Sequence, residues 1–157
     1  MSLIALPDRE LRLSREIPVA AAKLYRCWTE PDLVVQWFTP PPYVTVKADL
    51  DVRPGGASLI VMRSPDGQEI PNPGVFLEVV PGKRLVMTDA YTEAWVPSAK
   101  PFLTIILDFE ALGENQCRYT AVARHWSIED RENHEAMGFH QGWGIATDQL
   151  AALAAKL

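Results

Sequence analysis

Two histidines, at positions 125 and 140, are the side chains best suited to moving a proton near neutral pH, where an imidazole changes charge without help from its surroundings. His125 closes an alternating run in phase with Cys117, Tyr119, Ala121 and Ala123, and His140 stands one position past an apolar stripe that begins at Phe139. Either could reach an interior cavity and donate or accept a proton there. Asp89 shares the parity of Leu85, Met87 and Tyr91. Facing inward it would be a buried carboxylate with shifted acidity, and facing outward a solvated one; both faces of that run carry apolar groups, so alternation does not choose.

Other catalytic and metal patterns fail on spacing. His134-Glu135 opens like the helix of a zinc protease, but the second histidine would have to stand at position 138, where the chain has Gly138. His134 and His140 fall on different sides of a helix, and with Cys27 and Cys117 they offer no paired ligand spacing, so no metal is expected. Gly55-Gly56 lacks the downstream Lys-Ser/Thr of a phosphate loop. Ser58, Ser64, Ser98 and Ser127 have no base-and-acid context, and no nucleophile elbow is present. No catalytic residue and no cofactor is assigned, and binding is preferred over turnover.

What the chain does have is aromatic and sulfur-bearing side chains. Trp37, Phe76, Trp95, Phe102 and Trp143 suit the walls of an apolar pocket, with His125 or His140 as orienting groups. Met62 and Met87 would add adaptable lining if they face inward. Gly138, Gly142 and Gly144 sit in a stretch that otherwise reads as helix, where each costs about 1 kcal/mol relative to Ala. They either leave room above a cavity or serve close packing and a bend.

The elements that must position these groups follow from periodicity. Leu11, Leu13 and Ile17 alternate with polar residues as a first strand, and Pro18 is placed to open a helix that runs Ala20 to Trp28. A second short helix, Leu33 to Phe38, follows Glu30-Pro31-Asp32. Val44, Val46, Ala48 and Leu50 alternate cleanly as strand two. Turns at Pro54-Gly55-Gly56, Ser64-Pro65-Asp66-Gly67, Pro81-Gly82-Lys83 and Gly113-Glu114-Asn115 then divide an antiparallel meander. Its strands are Ala57 to Arg63, Gly74 to Val80, Arg84 to Tyr91, Phe102 to Leu112 and Cys117 to Trp126. The stretch Thr92 to Pro101, with Trp95, reads as a loop that borders the site as a lid. Ser127 caps one long closing helix, in which Phe139, Trp143, Ala146, Leu150, Leu153 and Leu157 share a face. The fold class is therefore α+β: a curved antiparallel sheet of six to seven strands wrapped around a long C-terminal helix, with two short helices after strand one.

The chain's 157 residues are the size of one domain, expected to span residues 1–157, and its 48% hydrophobic and 22% charged composition excludes disorder and coiled coil. A net charge of −5 without a Lys/Arg cluster argues against nucleic acid as a partner. The apolar piece Leu3 to Leu6 is too short for a signal peptide and no run is long enough for a membrane span, so a cytoplasmic location is expected. Two cysteines in a chain with ample core material read as reduced packing residues. A sheet edge beside strand one, or the Trp95 loop, could support a homodimer.

Across nearly its whole length the chain resembles single-domain members of the activator of 90-kDa heat-shock protein ATPase homologue family, in the START, polyketide-cyclase and birch-pollen-allergen (SRPBCC) superfamily. The matching stretches are Ile17-Pro18-Val19, Trp28-Thr29-Glu30-Pro31-Asp32-Leu33, Trp37-Phe38 and Asp51-Val52-Arg53-Pro54-Gly55-Gly56. Further on come Pro65-Asp66-Gly67, Gly74-Val75-Phe76-Leu77-Glu78-Val79, Pro81-Gly82-Lys83-Arg84-Leu85-Val86 and Gly142-Trp143 with Leu150 and Leu153. The resemblance implies a helix-grip fold with a cavity between sheet and C-terminal helix that takes a small hydrophobic molecule, lipid-like or polyketide-like. It also implies two alternatives: a cyclase or dehydratase working in the same cavity through His125, Asp89 or His140, and a chaperone-activating partner protein.

Overall fold

The computed structural model describes residues 4–157; Leu3, where the first apolar piece begins, lies outside the described residues. After a short 3-10 turn at Pro7–Arg9, β1 (Glu10–Ile17) alternates as its sequence requires and buries Leu11 and Ile17. Pro18 does not open the helix. Val19 first turns into the core, and α1 (Ala21–Thr29) starts only after it. Pro31 does open α2 (Pro31–Trp37), at a position whose N–H has no helical acceptor to lose.

The sheet then builds as β2 (Val44–Leu50), β3 (Ala57–Arg63), β4 (Glu69–Val80), β5 (Arg84–Thr88), β8 (Leu103–Gly113) and β9 (Gln116–His125). A separate hairpin of β6 (Tyr91–Glu93) and β7 (Val96–Pro97) lies between β5 and β8. The order β1-β9-β8-β5-β4-β3-β2 is antiparallel throughout, with β1 and β2 at the edges, so the seven-stranded antiparallel sheet is as expected. Its inner face packs on α1, α2 and the closing helix through Leu24, Cys27, Phe76, Leu85, Leu107 and Leu150, each essentially inaccessible. Both cysteines are buried and unbridged, and burial pushes each thiol up to about 11.

Three further boundaries differ from the sequence reading, each for a local reason. Strand β4 begins at Glu69, passing through Pro71 and Pro73. Phe76 exchanges hydrogen bonds with Gly55 and Gly56 on the β3 side, so residues of opposite parity, both prolines included, point their missing N–H away from β3. There β5 does not reach, and no ladder bond is lost. Strand β5 ends at Thr88 because the Asp89 carboxylate turns back to accept the N–H groups of Phe102 and Leu103, at 2.9 and 3.1 Å.

The third difference matters most. The closing helix is two helices, α3 (Ile128–Ala136) and α4 (Phe139–Ala154), broken at Gly138. Gly138 has φ +96°, a left-handed conformation that a side chain resists, and it terminates one helix and starts the next. The Ser127 hydroxyl caps α3 by accepting the Asp130 N–H, as its sequence position suggests. Unlike α4, which buries Phe139, Leu150 and Ala154, α3 buries no residue fully.

Candidate functional site

Between the inner face of the sheet and α4 lies a cavity of about 510 Å³. Its floor is Ile60, Met62, Met87 and Ile105 from the sheet, and its roof is Phe139, Gly142, Trp143 and Ala146 from α4. Trp28, Trp37 and Phe38 close it beside α1 and α2, while Phe102, His134 and Met137 stand at the α3 end. Asn72, Pro73 and Met137 are the exposed members of the lining, so the cavity opens between β4 and the α3–α4 junction.

The two ends differ in polarity. At the α1 end, Trp28, Trp37 and Phe38 form an edge-to-face trio with centroids 4.8 to 5.9 Å apart. Their polar atoms are committed: Trp37 Nε1 donates to the Cys27 carbonyl at 2.8 Å and Trp28 Nε1 donates to the Tyr119 hydroxyl at 3.1 Å. Burial holds the Tyr119 hydroxyl well above its ordinary acidity range, so it stays protonated.

At the α3 end the register brings remote polar residues into one row on the inner face. Ser58 pairs with Gly74; the pairing of Val75 with Thr88 sets Gly74 beside Asp89; the Asp89 N–H bonds the Leu103 carbonyl; and Leu103 pairs with His125. At about 5 Å per strand, Ser58, Asp89 and His125 are spaced roughly 10 Å apart across the sheet. Tyr119, six positions before His125 on β9, stands roughly 20 Å away along the strand, at the other end.

His125 is 2% exposed, and it is joined to α3. Its Nδ1 is 2.9 Å from the Arg9 carbonyl and its Nε2 is 2.8 Å from His134 Nδ1. Phe102, Phe139 and Trp143 surround the His134 ring with centroids 5.2 to 6.1 Å away. Burial, and then the neighbouring His125, push His134 down to about 4, so it is neutral at physiological pH.

The structure thus gathers Trp37, Met62, Met87, Phe102 and Trp143 around the cavity and leaves the other four expected residues outside its lining. Phe76 is fully buried in the core below. Trp95 is 61% exposed, edge to face with Tyr91 and lying over Gly55, so the Thr92 to Pro101 stretch does not cover the cavity. His125 points inward but is sealed behind His134. His140 is exposed and pairs with Glu135 at 3.0 Å.

His134 and Asp89 are the ionisable members of the lining besides Tyr119. Asp89 faces inward, settling the parity its sequence leaves open, and among the described residues only its Oδ1 is engaged. Ser58, 8% exposed and without a side-chain hydrogen bond among the described residues, also lines the cavity. His134 has no role in the sequence reading because a continuous helix carries the Phe139 stripe back through Glu135; the break at Gly138 turns His134 inward instead. The three glycines divide by role: Gly138 breaks the helix, Gly144 packs against the Arg15 guanidinium, and a side-chain carbon at Gly142 would meet nothing within 4 Å. Among the described residues no cluster of three metal-ligating side chains occurs, and no helix is long and apolar enough to cross a membrane.

With this geometry in place, the comparison with known families is decisive. Residues 18–155 match the family described as Activator of Hsp90 ATPase homolog 1-like protein. The chain belongs to this family. Of solved structures similar to this family member, protein NE0264 from Nitrosomonas europaea superposes with a TM-score of 0.92 at 37% identity, over 97% of each chain. Protein Ms6760 from Mycobacterium smegmatis superposes with a TM-score of 0.77 at 23% identity, over 95% of this chain and 92% of the other. A protein from Rhodobacter sphaeroides does so at 0.82 and 17%, over 96% and 95%. At these last two identities the likeness is one of fold. No curated protein matches the chain in sequence. The activator-homologue family and the SRPBCC helix grip are therefore both as the sequence motifs imply.

Proposed function

We propose that the protein binds a small hydrophobic or aromatic molecule, lipid-like or polyketide-like, between its sheet and α4. The observation that carries this reading is the cavity of about 510 Å³, walled by tryptophan, phenylalanine and methionine and reaching the surface at the α3–α4 junction. Binding would draw on desolvation of the ligand, with Trp37, Phe102 and Trp143 as rigid walls and Met62 and Met87 as adaptable ones. The helix-grip family, whose members commonly hold hydrophobic ligands, supports the same reading. The test is native mass spectrometry of protein purified from its own host, followed by extraction of whatever co-purifies. A stoichiometric organic adduct is expected. A clean protein mass, together with no shift in melting temperature across fatty acids, flavonoids and sterols, would overturn the reading.

A cyclase or dehydratase using the same cavity is the second reading, favoured by one observation: His134, neutral and backed by His125, stands among the lining residues as a proton acceptor. Turnover that survives His134→Gln unchanged would remove that residue from such a mechanism. The chaperone role that the family's name suggests would use the outer surface instead, and enrichment of a 90-kDa chaperone in a pull-down, abolished by outer-surface substitutions, would favour it.

A further inference from the structure

The hydrogen-bond chain behind His134 has a direction. A backbone carbonyl only accepts, so the 2.9 Å contact with the Arg9 carbonyl places a proton on His125 Nδ1. In neutral His125 the other nitrogen, Nε2, then carries a lone pair, and the 2.8 Å contact with His134 Nδ1 must be an N–H donated by His134. Neutral His134 is left with its lone pair on Nε2, which makes no hydrogen bond among the described residues. A main-chain carbonyl at the edge of the sheet thereby sets the tautomer of a ring two links away, at the cavity wall.

The charges around the cavity have the same bias. Among the described residues its lining includes no Lys and no Arg, and one carboxylate, Asp89, whose Oδ2 makes no hydrogen bond to them. Ser58 adds a hydroxyl that can donate or accept. An anionic ligand would therefore bring a second negative charge toward Asp89 in an apolar enclosure with no cation to offset it, and its oxygens would meet lone pairs on His134.

We infer that, within the cavity-binding reading, the ligand is a neutral apolar or aromatic molecule bearing a hydroxyl group, which donates a hydrogen bond to His134 Nε2, and that carboxylates such as fatty acids are rejected. This rests on the cavity being a binding site, and the test separates the two claims. Three fluorescent probes share one ring system and differ in one group: 1-hydroxypyrene donates a hydrogen bond, 1-methoxypyrene cannot, and 1-pyrenecarboxylate is charged. Titrations are run at about pH 7.5, above the ordinary imidazole range and below the ordinary phenol range, where the carboxylate is ionised.

The expected order is hydroxypyrene tighter than methoxypyrene by about fivefold, with the carboxylate weakest. His134→Phe should bring hydroxypyrene down to the methoxypyrene level and leave methoxypyrene unchanged within about twofold. If His134→Phe does not fold, His134→Gln, which retains an accepting oxygen, should preserve part of the preference. Equal affinity for hydroxypyrene and methoxypyrene, or tighter binding of the carboxylate, overturns the inference while leaving cavity binding intact. If none of the three binds, the inference falls, and the cavity-binding reading is decided by the native mass spectrum and the melting-temperature panel.

Discussion

The two ends of the cavity are both built from aromatic rings, yet they are held in opposite ways. At the α1–α2 end Trp28, Trp37 and Phe38 lock edge to face, and the indole N–H groups of Trp28 and Trp37 have protein acceptors. At the α3 end Phe102, Phe139 and Trp143 pack around His134, whose helix buries no residue fully and hangs on a capped start, a histidine pair and a left-handed glycine. One end is a core that happens to border a cavity. The other is a wall with an uncommitted polar atom, next to the mouth. The lesson is that stability and recognition are divided along the length of β9, so substitutions at the two ends should separate in what they affect.

Trp37→Ala should show the largest effect. It removes a ring that is 3% exposed from the closed end and should cost about 3–5 kcal/mol, read as a lower denaturant midpoint with unchanged slope. A cost below about 1 kcal/mol would make the closed end no more integral than the open one. Next comes Tyr119→Phe, which strips the acceptor from the buried Trp28 N–H and should cost about 1–3 kcal/mol by the same measurement.

Gly142→Ala at the open end should act with the opposite sign. A β-carbon there meets nothing within 4 Å, so the substitution should stabilise α4 by about 0.5–1 kcal/mol in thermal unfolding. The added methyl enters the cavity, and 1-hydroxypyrene affinity should fall as stability rises. Concordant changes in the two would break the division.

The most local effect is a pH dependence confined to α3. His134 is lowered from 6.5 to about 4 in the folded protein, so between these values the opened form takes up a proton that the folded form does not. Stabilisation from the buried neutral ring is therefore full above about pH 6.5 and is lost as pH falls toward 4. His125 is the titratable group in contact with that ring; Phe102, Phe139 and Trp143 are uncharged at any of these pH values. Hydrogen exchange, corrected for its intrinsic pH dependence, should show α3 amides losing protection across that window while α1 amides do not.

The closed end was also the legible one. Strand alternation, the Glu30-Pro31-Asp32 break between the two short helices, the turn residues and the Phe139–Leu157 stripe are local signals, and they place α1, α2, most of the sheet and α4 within a few residues. The open end depends on contacts between residues far apart in the chain. His134 meets His125 only because the chain breaks at Gly138, and a glycine within a proline-free stretch reads equally as bend, close contact or cavity space. Asp89 turns inward only because two amide groups beyond the β6–β7 hairpin need its oxygen. The row Ser58–Asp89–His125 exists only in the register of five strands, which periodicity alone does not specify.

The central claim, that the space between sheet and α4 receives the ligand, is most directly tested with the chain's own methionines. Of the chain's methionines, Met62, Met87 and Met137 line the cavity, so methyl-labelled methionine places three reporters in it. Titration with 1-hydroxypyrene should shift the Met62, Met87 and Met137 methyls through the ring currents of the bound probe, at one common affinity. A probe that binds while the Met62 and Met87 methyls stay still would contradict the account.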